Sequence, residues 1–112
     1  MEIQYNLYYG ERIIIVKDKN YCAVITVPTG SFIPFDYLQA ATDNDKITVH
    51  LKPARYGAFI TINDVESYYV GYKDINIDTN QIVETVKKGF DEIKNYITTI
   101  ISKGRPVNKK PQ

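Results

Sequence analysis

From Val83 onward the apolar residues return at spacings of three and four: Val83, Val86, Phe90, Ile93, Ile97 and Ile100. That spacing is an a/d seam of about two and a half heptads, and it predicts one amphipathic helix. Its start is marked by Asp78 as N-cap, with Gln81 three positions on completing a capping box and Ile77 and Ile82 forming a hydrophobic staple. Its end is marked by Lys103, Gly104 and Pro106, a stop signal. Glu84–Lys88 and Lys88–Glu92 lie at i,i+4 on the polar side. Gly89 costs about 1 kcal/mol relative to Ala at mid-helix; beside the seam, it would let a neighbouring backbone approach.

Everything before this helix has the other period. Ile3, Tyr5, Leu7 and Tyr9 alternate with Gln4, Asn6 and Tyr8, which predicts a strand with one buried face. After a turn at Gly10-Glu11, Arg12 to Lys17 is apolar on both faces, as suits a central strand covered twice. Asp18-Lys19-Asn20 is a hairpin loop, and Tyr21 to Val27 is a third strand. Pro28-Thr29-Gly30-Ser31 then breaks the sheet. In the segment Phe32 to Asp45, Pro34 would favour the first turn of a short helix over Phe35 to Ala41, ended by the polar loop Thr42-Asp43-Asn44-Asp45. Three more alternating segments follow, around Ile47–Leu51, Ala58–Ile62 and Tyr68–Tyr72, joined by turns at Pro53-Ala54-Arg55 and Asn63-Asp64.

The expected fold is therefore α+β: an antiparallel meander of about six strands packed by a long C-terminal amphipathic helix. A single domain over residues 1–104 would carry a disordered basic tail, 105–112, with Lys109 and Lys110. At 112 residues the chain is long enough to bury roughly two-thirds of its unfolded surface. No basic segment followed by an apolar run opens the chain, and no stretch reaches the ~18 apolar residues of a membrane span. The expectation is a cytoplasmic protein without membrane insertion. The richness in Ile, Asn, Lys and Tyr fits an AT-rich or thermophilic coding source, including viruses and plasmids of such hosts.

Conventional catalytic chemistry is hard to assemble from these residues. Cys22, the single cysteine, excludes an internal disulfide and reads as a small core residue. One His and one Cys do not make a structural zinc site. Asp43-Asn44-Asp45 opens like a calcium loop but lacks the central glycine, and Ala54 stands where the bidentate glutamate would fall. The expectation is a non-enzyme without metal or cofactor.

A binding face is easier to find. The second meander should turn Ile47, Val49, Leu51, Ala58, Ile60, Ile62, Tyr68, Val70 and Tyr72 toward the helix. Its other face then carries Thr48, His50, Lys52, Phe59, Thr61, Tyr69 and Lys73. Aromatic rings on a sheet are stacking platforms for bases, and nearby lysines hold phosphates. The candidate nucleic-acid-binding residues are Lys52, Phe59, Tyr69, Lys73 and His50. The plainer alternative is that Phe59 and Tyr69 only pair across neighbouring strands, or lie under the Phe32–Asp45 segment. A net charge of +1 does not demand a nucleic-acid partner.

A curved antiparallel sheet, a final strand Asp74-Ile75-Asn76-Ile77, a cap at Asp78 and a helix from Gln81 through Phe90-Asp91-Glu92-Ile93 resemble, over residues 46–101, the positive-cofactor-four and Whirly type of single-strand-binding fold. The resemblance rests on element order. It implies that the sheet binds melted DNA or RNA and that the helix builds a homodimer or tetramer. Ile82, Tyr96 and Ile101 widen the helix stripe, leaving surface for such a partner. Six strands and a terminal helix also resemble a pleckstrin-homology-like barrel, which implies a module binding lipid head groups or peptides, with Arg12, Lys17 and Lys19 as its basic cluster. The two readings are thus a single-strand nucleic-acid binder and a protein-interaction module or inhibitor.

Overall fold

A computed structural model describes residues 1–30, 33–75 and 78–107. Phe32, the staple residue Ile77 and the lysines Lys109 and Lys110 lie outside the described residues. The fold is α+β. Among the described residues one antiparallel sheet runs in strict chain order: β1 (Glu2–Tyr8), β2 (Glu11–Asp18), β3 (Tyr21–Pro28), β4 (Tyr37–Thr42), β5 (Lys46–Pro53), β6 (Gly57–Ile62), β7 (Glu66–Gly71) and β8 (Arg105–Pro106). Among the described residues three helices lie between β7 and β8: α1 (Tyr72–Ile75), α2 (Thr79–Lys88) and α3 (Phe90–Ile101).

Two of the eight strands depart from the expectation of about six. Tyr37–Thr42 is β4 rather than two turns of helix. Leu38 and Ala40 are buried while Tyr37, Gln39 and Ala41 are half-exposed, a period of two that a helix could not satisfy. β4 pairs with β3 on one side and β5 on the other and so joins both halves into one meander. The second, β8, falls in the stretch expected to be a disordered tail: Arg105 pairs with Tyr69, and the Val107 N–H donates to the Ser67 carbonyl at 2.8 Å.

One sheet face packs on α2 and α3. Ile14, Val16, Ala23, Ile25, Val27, Leu38, Val49, Leu51, Ala58, Ile60 and Val70 meet Ile82, Val83, Val86, Ile93, Ile97 and Ile100 in a single core. The Tyr21 hydroxyl donates to the Val86 carbonyl at 2.7 Å, fixing the end of α2 to β3; burial pushes this phenol up to about 12. The helices do not reach across β1. Ile3 is half-buried, but Tyr5 and Leu7 are 67% and 74% exposed, so the first strand lacks the buried face expected of it. β2 is likewise covered on one face only, with Ile13 and Ile15 half-exposed on the other. Cys22 is exposed on β3 rather than in the core.

The long helix is broken at Gly89. The capping box at Asp78 is formed: Asn80 N–H donates to the Asp78 carboxylate at 3.1 Å, and the Asp78 N–H donates to Gln81 Oε1 at 3.3 Å. Gly89 then adopts φ 123°, ψ −179°, a region only glycine enters readily, and α3 starts afresh. Nothing lies within 4 Å of a Cβ placed there, so the glycine serves the bend and not a close approach. Gly89→Ala sets two effects against each other. Helix propensity favours Ala by about 1 kcal/mol, while the backbone conformation opposes it by roughly 1–3 kcal/mol. A net loss of stability in urea titration is expected; a gain would mean that α2 and α3 run straight through.

The helix stripe is consumed within the chain. Ile82 is buried, and Tyr96 and Ile101 are partly buried against the same core, so the outward surface of α2 and α3 is polar. The flank expected to be left for a partner is thus not free. Tyr96 holds its phenolic oxygen buried with no hydrogen-bond partner among the described residues, and burial raises its pKa. Tyr96→Phe removes that unpaired group and is expected to stabilise by about 1–3 kcal/mol, read as a rise in Tm.

Candidate functional site

The face of the sheet turned away from the helices is open, and its register arranges the candidate residues in rows. Lys52 on β5 pairs with Phe59 on β6, Phe59 with Tyr69 on β7, and Tyr69 with Arg105 on β8. Three strand spacings of about 4.8 Å make this row about 14 Å long. At its centre the Phe59 and Tyr69 rings stand edge to face with centroids 5.2 Å apart. The Arg105 guanidinium lies 5.1 Å from the Tyr69 ring centroid. Phe59 is 38% exposed, so it is not buried under the described residues 33–45.

Two glycines make this row possible. A Cβ on Gly57 would come within 2.9 Å of the Tyr69 ring, so the ring lies against bare backbone there. A Cβ on Gly104 would come within 2.4 Å of the Tyr69 carbonyl, so only glycine lets the chain leave α3 and enter β8 beside β7.

The neighbouring row holds Thr26, Tyr37, His50, Thr61 and Ser67 across β3 to β7. Tyr37 and His50 have ring centroids 4.8 Å apart, and the Tyr37 hydroxyl donates to Gln39 Oε1 at 2.7 Å. His50 Nε2 is 3.8 Å from the exposed Asp64 carboxylate. Four of the five sequence candidates therefore lie on adjacent rows of one face: Lys52, His50, Phe59 and Tyr69. Lys73 does not. Alternation puts it on a sixth strand running through Tyr72, but β7 ends at Gly71 and Lys73 sits exposed on the short helix α1. The strand expected at Asp74–Ile77 is likewise absent as far as Ile75, which closes α1 as a buried residue. The resemblance to single-strand-binding folds counted on that strand.

Charge is unevenly distributed along this part of the sheet, with Lys46 on β5 standing at the acidic end. On β5 to β7 and their loops the acids Asp64 and Glu66 stand at the β6–β7 turn. Lys52 and Arg55 stand at the opposite end, where Arg105 also arrives. Arg55 lies over the Tyr56 ring at 5.4 Å, and Tyr56 is exposed. On the far side of the face, Thr26 Oγ1 donates to the Asp36 carboxylate. Asp36, through a shared hydrogen bond and its own charge, raises the pKa of Glu11. The pair gives that side of the face an acidic character.

Arg105 and Tyr37 are the site residues that sequence reasoning missed. The signal for Arg105 was Val107 following Pro106: proline is tolerated on an edge strand, and an apolar residue beyond it suits a chain still held to the fold. For Tyr37 it was the alternation of Leu38 and Ala40, outweighed there by the Pro34 helix-start signal. Among the described residues no three His, Cys, Asp or Glu side chains gather to hold a metal ion, and no helix is long and apolar enough to cross a membrane. Comparison with protein-family models, with curated proteins and with solved structures gives no match.

Proposed function

We propose that the protein binds single-stranded nucleic acid on the open sheet face. The observation that carries this reading is the row Lys52–Phe59–Tyr69–Arg105: two aromatic rings on neighbouring strands, with a cation at each end. Rings so placed stack on bases of any identity, and the flanking cations meet the phosphates on either side. His50 and Tyr37 extend the aromatic surface, and Lys73 and Arg55 stand beside the basic end.

Fluorescence anisotropy with labelled single-stranded DNA, RNA and duplex DNA across a salt series tests the proposal. Single strands are expected to bind better than duplex, with affinity falling steeply as salt rises. Phe59→Ala and Tyr69→Ala should each weaken binding by about 1–3 kcal/mol with little dependence on base sequence. Lys52→Ala and Arg105→Ala should each lower the salt slope by about 0.7. Lys73→Ala, off the row, should do less. No binding at low salt would overturn the reading. So would a Phe59→Ala protein that unfolds more easily yet holds oligonucleotide unchanged; the interaction-module reading would then lead.

A further inference from the structure

We propose that the protein pairs with a second copy of itself along the free edge of β1, antiparallel, about a two-fold axis through Tyr5. Among the described residues β1 is an outermost strand, with β2 as its only partner over seven residues in unbroken register. The turn into β2 shows which of its groups are unused. Tyr9 and Gly10 both have positive φ, 49° and 78°, the two-residue turn of a tight hairpin, so the flanking Tyr8 and Glu11 form a hydrogen-bonded pair. Alternation from there commits Glu2, Gln4, Asn6 and Tyr8 to β2 and turns the N–H and C=O of Ile3, Tyr5 and Leu7 outward.

None of the usual protections is present on this edge. Between Ile3 and Tyr8 there is no lysine, no proline and no bulge. The opposite edge, β8, is two residues long and carries Pro106. Two of the three residues with free backbone groups, Tyr5 and Leu7, also have side chains that the helices leave uncovered, while Ile3 is half-buried. Tyr5 and Leu7 line a groove of about 380 Å³ against Arg12, Ile14, Thr79 and Val83.

The strand is complementary to itself. In antiparallel register about Tyr5, Ile3 faces Leu7 of the partner subunit, Gln4 faces Asn6 of the partner subunit, and Glu2 faces Tyr8 of the partner subunit. Apolar side chains meet apolar ones, amides meet amides, and the one charge meets no like charge. Every outward N–H and C=O finds its counterpart, whereas a one-residue slip sets them opposite groups already used by β2. The interface lies on β1, remote from the row on β5 to β8, so it stands or falls independently of the nucleic-acid reading.

Light scattering on the full chain from micromolar to millimolar concentration is expected to show the mass rising from 12.9 kDa toward twice that value. Tyr5→Pro removes an outward N–H while sparing the β2 bonds, and Leu7→Lys puts a charge in the contact. Each should hold the mass at 12.9 kDa with an unchanged far-UV circular dichroism spectrum. In a Cys22→Ser background, Tyr5→Cys should form an intermolecular disulfide on oxidation, since the two copies of residue 5 face each other. Glu2→Cys should not, because its copies stand about 20 Å apart. If Tyr5→Pro fails to fold, Leu7→Lys and the two cysteine variants still decide. A wild-type mass of 12.9 kDa at millimolar concentration overturns the proposal. So does a dimer that survives Leu7→Lys, or equal cross-linking at residues 2 and 5.

Discussion

Phe35→Ala is expected to destabilise the protein by about 3–5 kcal/mol, the largest single effect foreseen for this chain. Phe35 is 1% exposed and belongs to the central core, at the point where the chain crosses from β3 to β4. The size of the loss depends on whether the site can collapse around the missing ring. Here the backbone is held on both sides: the Asp36 N–H donates to Thr26 at 3.0 Å, and its carbonyl accepts from the Leu51 N–H at 2.9 Å. Thr79 Oγ1 adds a bond to the Pro34 carbonyl at 3.1 Å, tying the same crossing to α2. A segment so anchored cannot shift to refill the space, which favours the upper part of the range. Urea denaturation should show a fall in midpoint at constant slope. A loss below about 1 kcal/mol, the size of an ordinary surface change, would mean that Phe35 does not close the core.

Ile93→Ala should cost about 2–5 kcal/mol. Ile93 is fully buried at the sheet-facing side of α3, and truncation leaves a void beneath a helix that Gly89 has already cut short. Phe90, on the same seam, is expected to matter less. It is only half-buried at the first turn of α3, with Lys94 reaching 5.7 Å from its ring centroid. Lys87→Ala should stay within about 0.5 kcal/mol, because its ion pair with Glu84 at 3.2 Å lies at the surface. Equal losses at Ile93 and Lys87 in thermal melts would refute the packing of α3.

How far this could be read from the residues depended on which period dominated locally. The seam from Val83 to Ile100 identified the helical cover and its buried side, because six apolar residues at regular spacing outweigh any single propensity. It did not reveal the break, since Gly89 looks the same whether it serves a close approach or a positive φ. The alternation of Ile47 to Val70 placed Lys52, His50, Phe59 and Thr61 on one face, because strand parity needs no knowledge of neighbours. Lys73 failed because parity was carried past Gly71 into a helical turn. Tyr37–Thr42 misled because Leu38 and Ala40 are too few to separate a strand from a short helix; the flanking edges of β3 and β5 decide, and those are tertiary facts. Tyr5 and Leu7 alternated correctly but lie beyond the reach of the helices, which depends on where α2 sits.

The strict chain order of the sheet has a consequence for how the protein comes into being. Each strand from β2 to β7 pairs with the one made immediately before it, so on the ribosome the meander can zip up hairpin by hairpin without waiting for distant sequence. The two helices that cover it are translated afterwards. For that interval Ile25, Leu38, Val49 and Ile60 would face water on a nascent sheet that has all its strands but β8. The vulnerable species in synthesis is therefore an ordered but uncovered sheet, the kind of intermediate on which chaperones act, and its lifetime is set by how soon α2 and α3 clear the exit tunnel.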